Sequence, residues 1–358
     1  MERFGLVGLA NAGKSSLFNA LTGGGALAAA YPFATVDPNV GVAPVPDERV
    51  ERLGAMSGSA RVVHAAVGLV DIGGLVEGSS RGEGLGNRFL GGIREVDAVV
   101  LVLRAFPEPA VVGPTDPVEH LATLETELAL ADLASVEARL ERQRKAARAD
   151  PSLATGLDAL DAAHATLAEG TPLYRSALDP GRRAALRPWS LLTDKPVLAV
   201  VNLGESQLAE PETVAKGVVD AVGPGTPVLP VCVQLEAEAA QLPPEERAEV
   251  LAGLGLGEGA LPRFARAAHE LLGRRTFLTT RPTESAAWTF RAGSTARQCA
   301  GLVHSDFERG FVKAECIRWD ELLEQGSWSA ARELGRVRME GREYEVADGD
   351  VIEFRFNV

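Results

Sequence analysis

Residues 8–15 read Gly8-Leu9-Ala10-Asn11-Ala12-Gly13-Lys14-Ser15, a G-x-x-x-x-G-K-S pattern a few residues from the start of the chain. An apolar run at 4–7 precedes it, and Ser16-Leu17-Phe18-Asn19-Ala20-Leu21 follows with helical spacing. A strand, a glycine loop and a helix in that order separate a phosphate-binding loop from a chance match to its pattern. The glycines let backbone N–H groups close on phosphate oxygens, and the helix N-terminus faces the negative charge. Lys14 reaches the outer phosphates, and Ser15 offers its hydroxyl oxygen to Mg²⁺. Gly8, Asn11, Ala12, Gly13, Lys14, Ser15 and Ser16 are therefore the candidate phosphate cradle, and a nucleoside triphosphate is the implied ligand.

A second motif follows. Residues 67–72 are largely apolar and run into Asp71-Ile72-Gly73-Gly74, a D-x-x-G sequence. An aspartate at the carboxyl end of a strand beside the phosphate-loop strand holds Mg²⁺, commonly through water. Gly74 can present its N–H to a γ-phosphate because no side chain blocks the approach. Between the motifs lies Tyr31-Pro32-Phe33-Ala34-Thr35-Val36-Asp37-Pro38-Asn39-Val40-Gly41. Alone, Thr35 reads as an ordinary loop threonine; its position between the motifs favours a second hydroxyl on Mg²⁺, released after hydrolysis. Candidate metal ligands are Ser15, Thr35 and Asp71, and candidate catalytic groups are Lys14, Thr35 and Gly74. Gly82-Glu83-Gly84-Leu85-Gly86-Asn87 lacks the lysine context of a phosphate loop, so its glycines suggest hinge freedom.

Residues 196–201 form a buried-strand run that ends in Asn202-Leu203-Gly204-Glu205. GTPases of this architecture carry N-K-x-D here, where the Asp carboxylate accepts both donors on one edge of guanine. Leu203 replaces the Lys and Glu205 the Asp, and the extra methylene displaces the carboxylate from its bidentate position. Sites built on hydrogen bonds discriminate strongly when a pairing is lost. Guanine selection should weaken, and Asn202 could pair with adenine as Asn does in nucleic-acid readout. The alternative is a GTPase that tolerates the Asp-to-Glu change. Cys232, in Val231-Cys232-Val233-Gln234-Leu235-Glu236, falls where the base pocket would close, and it reads as a packed thiol rather than a redox sensor.

Taken together, the phosphate loop with Asn11, the Y-P-F-x-T-x-D-P-N-x-G segment, D-I-x-G-L-V, G-E-G-L-G-N, N-L-x-E and the closing residues 348–358 resemble the YchF family of Obg-like ATPases. The likeness spans the chain, more loosely around 140–195. It implies an α/β P-loop NTPase domain, a mostly parallel sheet with helices on both faces, with an inserted helical hairpin and a C-terminal ubiquitin-like β-grasp (TGS) domain. It also implies ATP hydrolysis in preference to GTP, Mg²⁺ dependence, and association with the ribosome or ribosomal RNA. The expected boundaries are 1–118 and 192–273 for the nucleotide domain, 119–191 for the insertion, and 274–358 for TGS. In the family the pocket around Cys232 contacts the base mostly through backbone.

Ras-type enzymes place a Gln after D-x-x-G to orient the attacking water. Here, as in the family, that position is apolar: Leu75 cannot polarise water. Related P-loop enzymes use an Asn in the phosphate loop to hold K⁺, which gives Asn11 a possible role; the other reading is that it stabilises the loop. Slow intrinsic turnover stimulated by K⁺ is expected. Some relatives carry a water-directing His in the loop at 106–113, but this chain has none there, and His120 begins a helix instead.

The remaining features concern setting. At 358 residues and 46% hydrophobic, the chain can bury the cores of two or three domains. A nucleotide-binding strand at the very start leaves no room for a signal peptide, no apolar stretch reaches the roughly 20 residues of a membrane span, and a cytoplasmic protein is expected. The three cysteines are too scattered for a disulfide scaffold or zinc site. The net charge of −13 opposes general attraction to DNA; residues 274–358 hold 13 basic and 14 acidic groups, so the acidity lies before them. Within the helix beginning at Pro117, Arg139, Arg142, Arg144, Lys145 and Arg148 interleave with Glu137 and Glu141. They form either a solvated face or a contact for ribosomal RNA. Breaks at 149–152 and 170–172 delimit two insertion helices. The His304-Ser305-Asp306 run is too contiguous for a catalytic triad and reads as a structural or partner-binding loop.

Overall fold

The computed structural model describes residues 1–23, 39–75, 85–107, 115–147 and 154–357. Its elements fall into two compact units, one of Glu2–Val42 with Gly68–Phe264, the other of Met1, Ala43–Val67 and Ala265–Val358.

The first unit is built on β1 (Arg3–Leu9), α1 (Lys14–Thr22), β2 (Val40–Val45), β4 (Ala65–Leu75), α3 (Leu85–Glu95) and β5 (Ala98–Arg104). After the insertion come β6 (Val197–Asn202), α7 (Pro211–Val222), β7 (Val228–Val231), α8 (Val233–Ala239), α9 (Pro244–Gly253) and the start of α10 (Ala260–Leu271). The strands line up β2-β4-β1-β5-β6-β7, and the pairs β1·β4, β1·β5, β5·β6 and β6·β7 are all parallel. Every residue of β5 and β6 is buried, as unbroken apolar strands must be when helices cover both faces of a parallel sheet. All the loops at the carboxyl ends of β1, β5 and β6 open on one edge, the place where ligands bind in such sheets.

The insertion comprises α4 (Pro117–Ala147), α5 (Ala154–Ala168) and α6 (Pro180–Leu186). One helix serves two cores. The first half of α4 packs Leu121, Leu124 and Leu128 on the sheet core, and the second half packs Val136 and Leu140 on Ala159, Leu160, Ala163 and Leu167. At the junction the buried Asp132 accepts hydrogen bonds from Leu192 N, Thr193 N and Thr193 Oγ1 at 2.7–2.9 Å. The hairpin is thereby fixed where the chain returns to β6.

The second unit holds α2 (Glu48–Ser57), β3 (Val62–Val63), β8 (Arg274–Thr280), β9 (Ser285–Arg291), α11 (Ala296–Val303), α12 (Ser305–Arg309) and β10 (Phe311–Arg318). It closes with α13 (Trp319–Gln325), α14 (Trp328–Glu333), β11 (Arg338–Glu340) and β12 (Asp350–Phe356). The sheet order is β11-β10-β12-β8-β9-β3, with an antiparallel β8·β9 hairpin and β12 parallel to β8. A hairpin, then a helix, then a strand pair whose last member lies beside the first strand is β-grasp connectivity. Thr295 and Gln298 cap α11 reciprocally, and its Ala296, Cys299 and Ala300 pack on Phe277, Phe290 and Phe354.

Punctuation in the sequence starts this part at 274, whereas the compact unit also takes in 43–67 and begins at Ala265. The reason is specific pairing. β3 runs parallel to β9, Ser59 Oγ donates to Arg281 O at 2.6 Å, Thr280 Oγ1 donates to Ser57 Oγ at 2.7 Å, and Arg49 pairs with Asp348 at 2.8 Å. His304 caps α12 through Asp306 N, a structural use of the His-Ser-Asp run. No described helix is long and apolar enough to cross a membrane.

Candidate functional site

The loop between β1 and α1 is shaped by two left-handed residues. Asn11 has φ 58°, a conformation that Asn tolerates better than most side chains. Gly13, with φ 94°, caps α1, and a Cβ there would stand 2.3 Å from Asn202 Nδ2. Only glycine satisfies both constraints. Beyond it, Leu17 N donates to Gly13 O at 2.9 Å and starts the helix, leaving the N–H groups of the first turn for an anion. Ser16 is exposed beside them.

Lys14 is 7% exposed, and its Nζ donates to Leu9 O at 2.8 Å. Burial pushes its ammonium below the ordinary lysine range, and Asp71 pulls it partly back. Ser15 Oγ donates to Asp71 Oδ2 at 2.7 Å, and the other carboxylate oxygen accepts from Gly73 N. Sequence placed Ser15 and Asp71 on one metal, and the fold brings these two hard oxygen donors together at the end of β4. Gly74 pairs in register with Gly8, after a shift in the ladder between Leu6 and Gly8. Thr35 and the hinge glycines 82–84 lie outside the described residues.

The candidate base end lies at the ends of β5 and β6. A cavity of about 600 Å³ is lined by Gly13 and Ser16, by 106–107, by 202–206, and by α8 and the chain after it through Gln241. Glu205 is exposed on its wall, and Leu203 is 2% exposed beneath. Asn202 has backbone partners that the sequence does not announce. It is 4% exposed, its Nδ2 donates to Ala12 O at 3.0 Å, and its Oδ1 accepts from Val233 N at 3.2 Å. An amide bonded at both ends to backbone ties the phosphate loop to α8, and the same residue lines the cavity. Cys232, 1% exposed, occupies the N-cap position of α8 without a side-chain cap bond, and burial pushes its thiol up, as suits a packed residue.

Sequence reasoning passed over Gln207, Gln234 and Glu238. Gln234 Nε2 donates to Glu238 Oε1 at 3.2 Å on the cavity wall. Gln207 Oε1 accepts from Gly204 N at 2.8 Å, and its Nε2 donates to Ala105 O at 3.0 Å. A Gln three residues after a turn-opening Gly is the pattern that could have flagged it.

Three cations of the α4 cluster are bonded nearby, and Arg148 lies outside the described residues. Arg139 donates to Trp189 O at 2.9 Å, Arg144 pairs with Asp161 at 2.7 Å, and Lys145 pairs with Glu141 at 3.2 Å.

Residues 3–135 match the family described as 50S ribosome-binding GTPase, and residues 275–357 match YchF-GTPase_C, described as a protein of unknown function (DUF933). The chain is 42% identical to the Bacillus subtilis protein named ribosome-binding ATPase YchF, with 99% of both chains covered. It is 35% identical to the rat protein named Obg-like ATPase 1, covering 99% of this chain and 92% of that one. A solved structure titled the Schizosaccharomyces pombe YchF GTPase superposes with a TM-score of 0.87 at 30% identity, over 99% of this chain and 97% of that one. A chain with this phosphate loop, D-x-x-G strand, altered base loop and β-grasp unit matches these relatives along its whole length, and it belongs to the YchF family of P-loop NTPases.

Proposed function

We propose that this protein is an Mg²⁺-dependent hydrolase of ATP, with GTP a poorer substrate, and that its nucleotide state controls association with the ribosome. The observation that carries the substrate reading is the base loop. Asn202 keeps its structural tie to the phosphate loop, while Leu203 and Glu205 stand where guanine readers carry Lys and Asp. The curated relatives' names, ribosome-binding ATPase, support both the nucleotide and the partner.

Ser15 and Asp71 fit a small hard cation, since hydroxyl and carboxylate oxygens meet at 2.7 Å beside the first helical turn. Thr35 would add a third oxygen. Mg²⁺ bound there would neutralise charge on the outer phosphate oxygens. Lys14 would exchange the Leu9 carbonyl for a phosphate oxygen, and Gly74 would offer its N–H to the γ-phosphate. Backbone groups of 12–16 hold the phosphates, and the residues around Leu203, Glu205 and Cys232 enclose the base. Leu75 supplies no polar group to the attacking water, so unaided turnover would be slow, and K⁺ held near Asn11 would accelerate it. Equal rates in Na⁺ and K⁺ would remove that part of the reading.

Ribosomal contact is assigned to the helical insertion and the C-terminal TGS unit, in the cytoplasm. Arg144 and Lys145 are engaged in internal pairs, so RNA would have to compete for these two. A GTP-specific reading draws on the GTPase titles of the family model and the yeast structure. Competitive titration of ATP against GTP decides between them. A binding protein with incidental hydrolysis would show neither ribosome-stimulated single turnover nor a difference in ribosome affinity between ATP and ADP.

A further inference from the structure

We propose that Gln207 is a positioning residue for the purine: its side-chain amide replaces one rung of the β5·β6 ladder and holds open the crevice that receives the base. The substitution can be read from the bonds. β5 and β6 pair in parallel up to Arg104 and Asn202, and Ala105 N extends the ladder by donating to Asn202 O at 2.9 Å. In a parallel ladder the next bond runs from Gly204 N to Ala105 O. Those two groups instead bond to opposite ends of the Gln207 amide, at 2.8 and 3.0 Å. One planar amide is inserted where a direct bond belongs and bridges the two chains.

They part where a ligand must enter. Both chains continue along the walls of the 600 Å³ cavity, as Phe106 and Pro107 on one side and Leu203 to Ser206 on the other. The Phe106 wall is also held from behind. The 1% exposed Arg104 donates from Nε to Phe106 O at 3.0 Å, and its guanidinium lies 4.9 Å from the Phe106 ring centroid. Gly204 lies so near that a Cβ on it would stand 3.3 Å from Phe106 Cβ. Gln207 therefore sets the spacing of two walls already at contact distance, and no residue of the phosphate cradle bonds to it among the described residues. Its effect should fall on the base and spare the phosphates.

This inference rests on the nucleotide reading of the site, and the test separates the two. Calorimetric titration of full-length wild type, Gln207→Ala and Gln207→Met with ATP, GTP and inorganic tripolyphosphate, all with Mg²⁺, supplies the readouts. Two lost hydrogen bonds weaken ATP binding by about tenfold or more in both variants, while tripolyphosphate binds as in wild type. The ratio of ATP to GTP affinity falls with it. Equal losses for ATP and tripolyphosphate would reduce Gln207 to general structure, and full ATP affinity in Gln207→Met would overturn the hydrogen-bond assignment. Gln207→Glu keeps the acceptor for Gly204 but sets a carboxylate against Ala105 O. It must lose ATP affinity selectively too, which keeps the test decisive if the alanine variant folds poorly. Failure of wild type to bind ATP would instead sink the nucleotide reading itself.

Discussion

Replacing Asn202 with alanine separates a strut from a base reader. The side chain bonds Ala12 O and Val233 N, and both of those residues are essentially inaccessible, at 0% and 1% exposure. Truncation orphans a buried carbonyl and a buried amide, each costing about 1–3 kcal/mol, so the first unit should lose about 2–6 kcal/mol. That corresponds to a fall of roughly 5–15 °C in the unit's melting temperature. Because the lost bonds fix the phosphate loop to α8, affinity for inorganic tripolyphosphate should fall with affinity for ATP. Differential scanning calorimetry and titration with both ligands make the comparison. An unchanged melting temperature with loss confined to ATP would refute the strut and restore direct reading of adenine. Asn202→Asp is a useful companion: it keeps the acceptor for Val233 but turns a carboxylate on Ala12 O, and should be no better than alanine.

Lys14→Met should abolish measurable ATP hydrolysis yet raise the apo-protein's melting point, because burial depresses the Lys14 pKa and methionine removes that cost. The sign follows from linkage: between the lowered folded pKa and the ordinary lysine value the unfolded chain binds more protons, so wild-type stability climbs with pH there and the variant's advantage shrinks. A lower apo melting point for the variant at neutral pH would contradict this. Asp71→Asn should weaken Mg²⁺-dependent nucleotide binding by about tenfold or more while leaving Mg²⁺-free binding nearly unchanged, measured by titration with and without chelator. The double change Leu203→Lys with Glu205→Asp should move preference toward GTP, read as a ratio of affinities; no movement would place selection elsewhere. In the second unit, Gly310→Ala should cost about 2–3 kcal/mol, since the added Cβ would stand 1.9 Å from Asn357 O, and denaturant unfolding would report it.

What could be read from sequence was whatever the chemistry strings together locally. The phosphate loop, D-x-x-G and the β6 loop are contiguous, and each abuts a strand whose apolar run announces it. The apolar spacing likewise reveals α11 at Ala296–Val303 and β12 near 351–356. Hidden were the features made by residues far apart. Nothing in 43–67 signals that β3 will extend the sheet of β9, some 220 residues later, because a two-residue strand carries no periodicity. Asn202 looked free to read a base because its partners, Ala12 and Val233, arrive from the two opposite sequence directions. Gln207 was silent for the same reason: its role exists only once β5 lies beside β6. The α4 helix also defied a simple stripe, since its two halves face different cores.

The most direct test is calorimetric titration of nucleotide-free protein with ATP and GTP in Mg²⁺. ATP should bind with the higher affinity, and its binding should weaken when the metal is chelated. No heat with ATP, or a preference for GTP of about tenfold or more, would contradict it.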